Sequence, residues 1–125
     1  FVLTDIISAQ VIKEIFQRLR PCHDPDMLDR VRLVADICGG KYSFVSSHAS
    51  NAFGIATFSF LTIRRKWIVG LIISWAILVA FSRIYLGVHY PGDILGGLLL
   101  GLAMGSISYF SYSKTLKFIS KNEED

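Results

Sequence analysis

Between two long apolar segments the chain carries Ser82-Arg83-Ile84-Tyr85-Leu86-Gly87-Val88-His89-Tyr90-Pro91-Gly92-Asp93. Ionisable side chains kept between membrane-length hydrophobic runs are costly there and point to function. His89 and Asp93 stand four apart, a spacing at which a carboxylate can orient an imidazole and leave its other ring nitrogen free. Arg83 adds a fixed cation. The trio suits phosphate chemistry if further cations and donors join it.

Two other patches offer them. Lys13 and Arg20 are seven apart, about 20° short of two full helical turns, so one helix face can hold both. Two cations on one stripe suit a multiply charged anion, and Pro21 predicts the end of that helix. Ser43-Phe44-Val45-Ser46-Ser47-His48 precedes an apolar stretch. Serines there cap a helix, and free N–H groups at a helix start bind phosphate. His48 falls in the first turn, facing whatever binds. Singly, each patch has a plainer explanation: snorkelling basic residues, a capped helix with a surface histidine, a polar loop with an ion pair.

These residues need elements to hold them. Residues 67–86 contain one charge, Arg83, and as a helix span about 30 Å, the thickness of a hydrocarbon core. Residues 92–113 form a second span, in which Gly97, Gly101 and Gly105 recur every four residues and offer a close-packing face. Residues 47–63 form a third, shorter span, with Ala49, Ala52, Gly54 and Ala56 suited to tight packing. Residues 1–19 are amphipathic, with Phe1, Ile6, Ile7 and Val11 before Lys13, Glu14 and Arg18, and read as the end of a helix leaving the bilayer. A polar connection follows over 21–46, within which 26–37 has helical spacing of Leu28, Val31, Val34 and Ala35. The charged residues 114–125 are expected to fray. The predicted class is all-α, a transmembrane helical bundle with its polar site at one end.

Composition agrees. Hydrophobic residues make up 52% and charged residues 18%, with a mean hydropathy of +0.47; soluble domains carry about 25% charge. The net charge of +3 fits an anionic substrate or membrane surface. It is too small to argue for nucleic acid, and no basic run interleaved with aromatics of the kind that binds bases is present. Arg64-Arg65-Lys66 and Lys114, Lys117 and Lys121 fall at the same side of the three spans, which the positive-inside rule makes cytoplasmic. Every unusual polar group then lies on the opposite, extracytoplasmic face.

The joint pattern K-x6-R-P, then S-S-H, then S-R-x5-H-x3-D resembles the signature of the phosphatidic acid phosphatase type 2 superfamily. That group holds membrane lipid phosphatases, soluble bacterial acid phosphatases and vanadium-dependent haloperoxidases. The resemblance runs from Lys13 to Asp93. It departs from the usual P-S-G-H at Val45 and Ser47, which replace proline and glycine. It implies a catalytic domain over 1–113 of a bacterial membrane-type member, lacking its upstream helices. It also implies roles: His89 as nucleophile, Asp93 as its orienter, and His48 as general acid and base. Lys13, Arg20 and Arg83, with the N–H groups of Ser46 and Ser47, would bind the phosphate, with no metal or other cofactor.

The expected partner is a lipid phosphate or diphosphate: phosphatidic acid, phosphatidylglycerophosphate, an isoprenyl diphosphate or a lipid A phosphate. The expected place is the bacterial inner membrane, with the site facing the periplasm; oligomeric state stays open. The alternatives are a vanadate-dependent haloperoxidase and a lipid-phosphate-binding protein without activity. Cys22 and Cys38 read as free thiols, with a disulfide the alternative in an oxidising compartment. His23, Asp24, Asp26 and Asp29 read as solvated acids in a polar loop, not a metal site. Trp67, beside Arg64-Arg65-Lys66, fits an interfacial belt.

Overall fold

The computed structural model describes residues 2–27, 29–34 and 38–123. Among the described residues six helical elements follow one another: α1 (Val2–Ile6), a wider π-helical turn over Ile7–Ile12, α2 (Lys13–Phe16), α3 (Ser47–Thr62), α4 (Lys66–Tyr85) and α5 (Pro91–Glu123). Among the described residues the one β pairing is an isolated bridge between Leu19 and Tyr42. The all-α expectation holds.

Helix α3 is the central element. Its Ala52 and Ala56 pack on Ala76 of α4, with Phe53, Ile72 and Val79 closing around them. On its other side α5 runs parallel to it, so closely that glycine is required. A Cβ at Gly101 would come 2.7 Å from the Ser50 carbonyl oxygen and 2.8 Å from Phe53 Cβ. Gly97 and Gly105 meet α3 in the same way, one turn earlier and one turn later. The four-residue glycine repeat is therefore the α3 contact, as close helix packing in membranes demands.

Helices α4 and α5 are both long and apolar enough to cross a membrane. Their outer faces carry exposed Trp67, Leu71, Leu78 and Phe81 on α4 and Leu95, Leu99 and Phe110 on α5. Faces this apolar call for lipid or other helices around them. At 16 residues α3 is about 24 Å long, short of a full hydrocarbon core.

Four local expectations are overturned. Helix α5 does not fray at 114 but continues to Glu123. No Gly or Pro interrupts residues 106–123, and lysines in its last turns favour the negative end of the helix dipole. Residues 26–27 and 29–30 form turns, closed by Met27 N–H to Asp24 and Arg30 N–H to Met27, and 31–34 are irregular, instead of a helix; Leu28 and 35–37 of that prediction lie outside the described residues. Lys13 and Arg20 do not share a helix face. Helix α2 stops at Phe16, Gln17 turns into the left-handed region at φ 46, and Arg20 lies beyond it in extended chain. There, backbone pairing of 18–20 with 41–43 replaces helical bonds: Arg20 N–H to Lys41 O and Ser43 N–H to Arg18 O.

That pairing also decides the cysteines. By folding 38–43 back beside 18–22 it sets Cys22 and Cys38 in a disulfide with Cα atoms 6.0 Å apart, against the free-thiol reading. Closing a loop of this length is worth about 3 kcal/mol in chain entropy. Cys38→Ser should lower the melting temperature in detergent, and thiol labelling of the denatured wild type should need prior reductant.

Candidate active site

The polar residues meet at the N-terminal ends of α3 and α5 and the C-terminal end of α4. Helix α5 begins with a reciprocal cap. Asp93 N–H donates to the Tyr90 carbonyl at 3.0 Å, and Asp93 Oδ2 accepts the Tyr90 N–H at 2.8 Å. Pro91, with no N–H to satisfy, fits the first position between them. The cap aims the fully buried Asp93 carboxylate back along the chain, where Oδ2 lies 3.5 Å from His89 Nδ1. That is an ionic approach, longer than an aligned hydrogen bond, and Nδ1 has no closer partner. Nε2 of His89 makes no hydrogen bond among the described residues.

The link that carries His89 is held from outside. Gly87 adopts φ +73, and a Cβ there would strike Val31 Cγ1 at 2.8 Å. A left-handed turn under the 21–34 loop is thus open only to glycine.

Helix α3 is capped by Ser46, whose Oγ accepts the Ala49 N–H at 3.4 Å. The Ser46 N–H donates to the Asp93 carbonyl at 3.1 Å. This corrects one expectation: Ser46 cannot offer that N–H to a phosphate, because it is committed to tying α3 to α5. The N–H groups of Ser47 and His48 have no partner among the described residues and point from a positive helix end. His48 is exposed in this first turn.

The cations converge from three elements. Lys13 Nζ donates to Ser47 Oγ at 3.1 Å. Arg20 donates from Nη1 to the Cys38 carbonyl at 2.9 Å and from Nε to the Tyr42 carbonyl at 3.3 Å, which fixes its guanidinium. Arg83 ends α4, with Nε donating to Ser82 Oγ at 3.3 Å. Burial pushes the Arg20 guanidinium down from its ordinary range; Asp93 pulls it back and Arg83 pushes it down again. Those effects place Asp93 and Arg83 within electrostatic reach of Arg20.

One member of the group was not foreseen. Arg18 Nη1 donates to Asp93 Oδ1 at 3.2 Å, while its guanidinium lies 4.2 Å from the Tyr90 ring centre. Asp93 thus stands between two basic groups, Arg18 on Oδ1 and His89 on Oδ2. The available signal was alternation: in extended chain Arg18 and Arg20 project to the same side.

His23, Asp24, Asp26 and Asp29 do not gather. Among the described residues no group of three metal-ligating side chains forms, and Asp24 instead accepts the Tyr90 hydroxyl at 2.9 Å.

Three separated motifs on one helical end are the arrangement expected of a known family. The family model described as the PAP2 superfamily matches residues 1–117. The chain belongs to the PAP2 superfamily. It is 40% identical over 89% of its length to a lipid A 4'-phosphatase of Porphyromonas gingivalis, covering 47% of that protein. It is 37% identical over 85% to a lipid A 4'-phosphatase of Bacteroides thetaiotaomicron, covering 48%. A phosphatidylglycerophosphatase B of Bacillus subtilis is 34% identical over 81% of the chain, which covers 49% of it. The chain thus spans about half the length of these curated relatives. No solved structure matches it.

The two departures from the PAP2 pattern have structural employment. Ser47 Oγ accepts from Ser8 Oγ at 2.8 Å as well as from Lys13, so its hydroxyl turns toward the N-terminal helix and anchors it. Val45 is 3% exposed and packs where a Cβ on Gly96 would meet its Cγ1 at 2.6 Å. Both residues fasten helices around the site.

Proposed function

We propose that this chain carries the catalytic core of a metal-independent phosphatase, acting on the phosphomonoester or diphosphate of a membrane lipid through a phosphohistidine. The observation that carries the reading is the convergence of His89–Asp93, the free helix start at Ser47 and His48, and three cations.

In this reading His89 Nε2 attacks phosphorus and the ester oxygen leaves, taking a proton from His48. His48 then removes a proton from water, which attacks the phosphohistidine and frees the ring. Asp93 holds the ring and offsets the positive charge it gains. Lys13, Arg20 and Arg83, with the N–H groups at the start of α3, stabilise the charge on the phosphoryl oxygens. The site faces the extracytoplasmic side, supported by the basic clusters at the opposite end and by the disulfide, a bond kept in oxidising compartments.

The test is phosphate release by full-length protein in micelles from phosphatidic acid, phosphatidylglycerophosphate, undecaprenyl diphosphate and a lipid A phosphate. Release that persists in EDTA is expected; no release from any of them would sink the reading.

The acid side of the pH profile follows from the site. Burial pushes His89 below its ordinary value, Asp93 pulls it up, and the charges of Arg20 and Lys13 push it down. The neutral ring is the nucleophile, so a lowered pKa keeps it active to lower pH, and the acid limb of kcat/KM should lie on the acid side of an ordinary histidine titration. Arg18→Ala removes the cation that shares the Asp93 charge. Asp93 then acts on His89 alone, the acid limb moves to higher pH, and kcat/KM drops roughly tenfold or less, as one half-exposed charged hydrogen bond allows. An unchanged profile would show that Arg18 does not act through Asp93.

A further inference from the structure

Tyr90, the residue after the proposed nucleophile, is held at several points. Its N–H donates to Asp93 Oδ2 at 2.8 Å, and its carbonyl accepts the Asp93 N–H at 3.0 Å. Its hydroxyl donates to Asp24 Oδ2 at 2.9 Å, which ties the α4–α5 link to the 21–34 loop. A carboxylate can only accept, so the direction of that bond is fixed. Its ring carries the Arg18 guanidinium, 4.2 Å from the ring centre.

Asp24 is not a loose surface acid. Its Oδ1 accepts the Asp26 N–H at 3.1 Å, and its carbonyl accepts the Met27 N–H at 3.0 Å. A turn of this kind fixes the carboxylate from behind. It stands two residues from Cys22, where the disulfide pins the loop to Cys38.

Arg18 needs such support. Its side chain is 46% exposed, whereas Asp93 is fully buried. A half-exposed arginine keeps many rotamers open to water, and the 3.2 Å bond from Nη1 to Asp93 Oδ1 must compete with them. The face of the Tyr90 ring attracts the cation and favours the bonded geometry. The bond to Asp24 keeps that face in place. Members of a hydrogen-bond chain polarise one another, so a phenol donating to a carboxylate also offers Arg18 a more negative face.

We propose that Asp24 and Tyr90 are positioning residues for the reaction: Asp24 fixes the ring, the ring keeps Arg18 on Asp93, and Arg18 limits how strongly Asp93 acts on His89. The loop thus acts on the nucleophile through Tyr90, Arg18 and Asp93. The inference rests on the phosphatase reading above. Other charges also face His89: Lys13 from α2, Arg20 from the extended segment, and His48 from α3 with Arg83 from α4. Arg30 and Arg32 line the pocket that His89 shares with Tyr90. The substitutions below leave all of these in place.

The experiment measures kcat/KM against pH for full-length wild type, Tyr90→Phe and Asp24→Ala in micelles, each also in an Arg18→Ala background. The substrate is whichever of the four lipids in the phosphate-release test wild type hydrolyses fastest. Both single variants should move the acid limb to higher pH. On its acid side they should lower kcat/KM about two- to fivefold, the scale of one exposed cation–π contact. In the Arg18→Ala background neither should move the limb further, as expected of residues acting along one path. The position of the limb does not depend on the amount of folded enzyme, so partial unfolding cannot mimic the result. Loss of the Asp24 charge acting directly on His89 would instead move the limb to lower pH. A shift in that direction, no shift in either variant, or an equal shift with and without Arg18 would overturn the inference, while wild-type turnover keeps the phosphatase reading. A wild type inactive on all four lipids overturns both.

Discussion

His89→Ala should abolish phosphate release, with kcat reduced on the order of 10⁴-fold or more, because no neighbouring group can replace the nucleophile. The loss should be chemical and not a failure to fold. Asp93 keeps its bonds to Arg18 and the Tyr90 N–H, so truncating the ring strands no buried charge. Rapid quenching of wild type with labelled substrate should trap an acid-labile, base-stable phosphoprotein that the variant never forms. Residual turnover near wild type in His89→Ala would refute the assignment. His48→Ala should behave differently: phosphoprotein should still form from substrates with a good leaving group, such as p-nitrophenyl phosphate, but should be hydrolysed slowly.

The second large effect lies far from any ionisable group. Gly101→Val should prevent the bundle from forming, and Gly101→Ala should already cost about 1–3 kcal/mol through overpacking. A Cβ there meets the Ser50 carbonyl, Phe53 Cβ and the Gly54 N–H at 2.7 to 2.9 Å. None of these is the tip of a flexible side chain, so α3 and α5 must separate. The Ser46–Asp93 bond near their shared end would stretch with them, and a 1 Å misplacement of reacting groups costs roughly 10²-fold in rate. Gly70→Ala is the control, since nothing lies within 4 Å of its new Cβ; it should leave activity intact and raise helix stability slightly. Thermal melts and phosphate release on the three variants check this together. Equal stability of Gly101→Val and wild type would contradict the packing described.

The long helices were legible in the sequence because their signals are redundant. Apolar length marked α4 and α5, Pro91 marked the start of one, and the Gly97-Gly101-Gly105 spacing marked the face that meets α3. His89 and Asp93 were legible for a similar reason, since four residues across a helix start leave few geometries open. The segment around Gln17 was not. No glycine or proline announces its left-handed turn, and the pairing that stabilises the extended chain comes from residues 41–43, distant in sequence. The roles of Arg18, Arg20 and Cys22 all depend on that pairing. Local periodicity therefore assigned Arg20 to a helix face, overlooked Arg18 and left Cys22 unpaired. Ser46 was misread for the opposite reason: its capping role was visible, but the use of its N–H by α5 was a tertiary fact.

The disulfide between Cys22 and Cys38 has a consequence for how the chain enters a membrane. It closes the loop whose Cys38 carbonyl holds Arg20, and it can persist only where thiols are oxidised. In the proposed topology an inverted chain would leave that loop in a reducing compartment, with two free sulfhydryls and Arg20 without its support. The crosslink thus serves as a chemical record of insertion. In that topology only copies with the loop outside hold Arg20 in place, and labelling of free thiols in cells can count the rest.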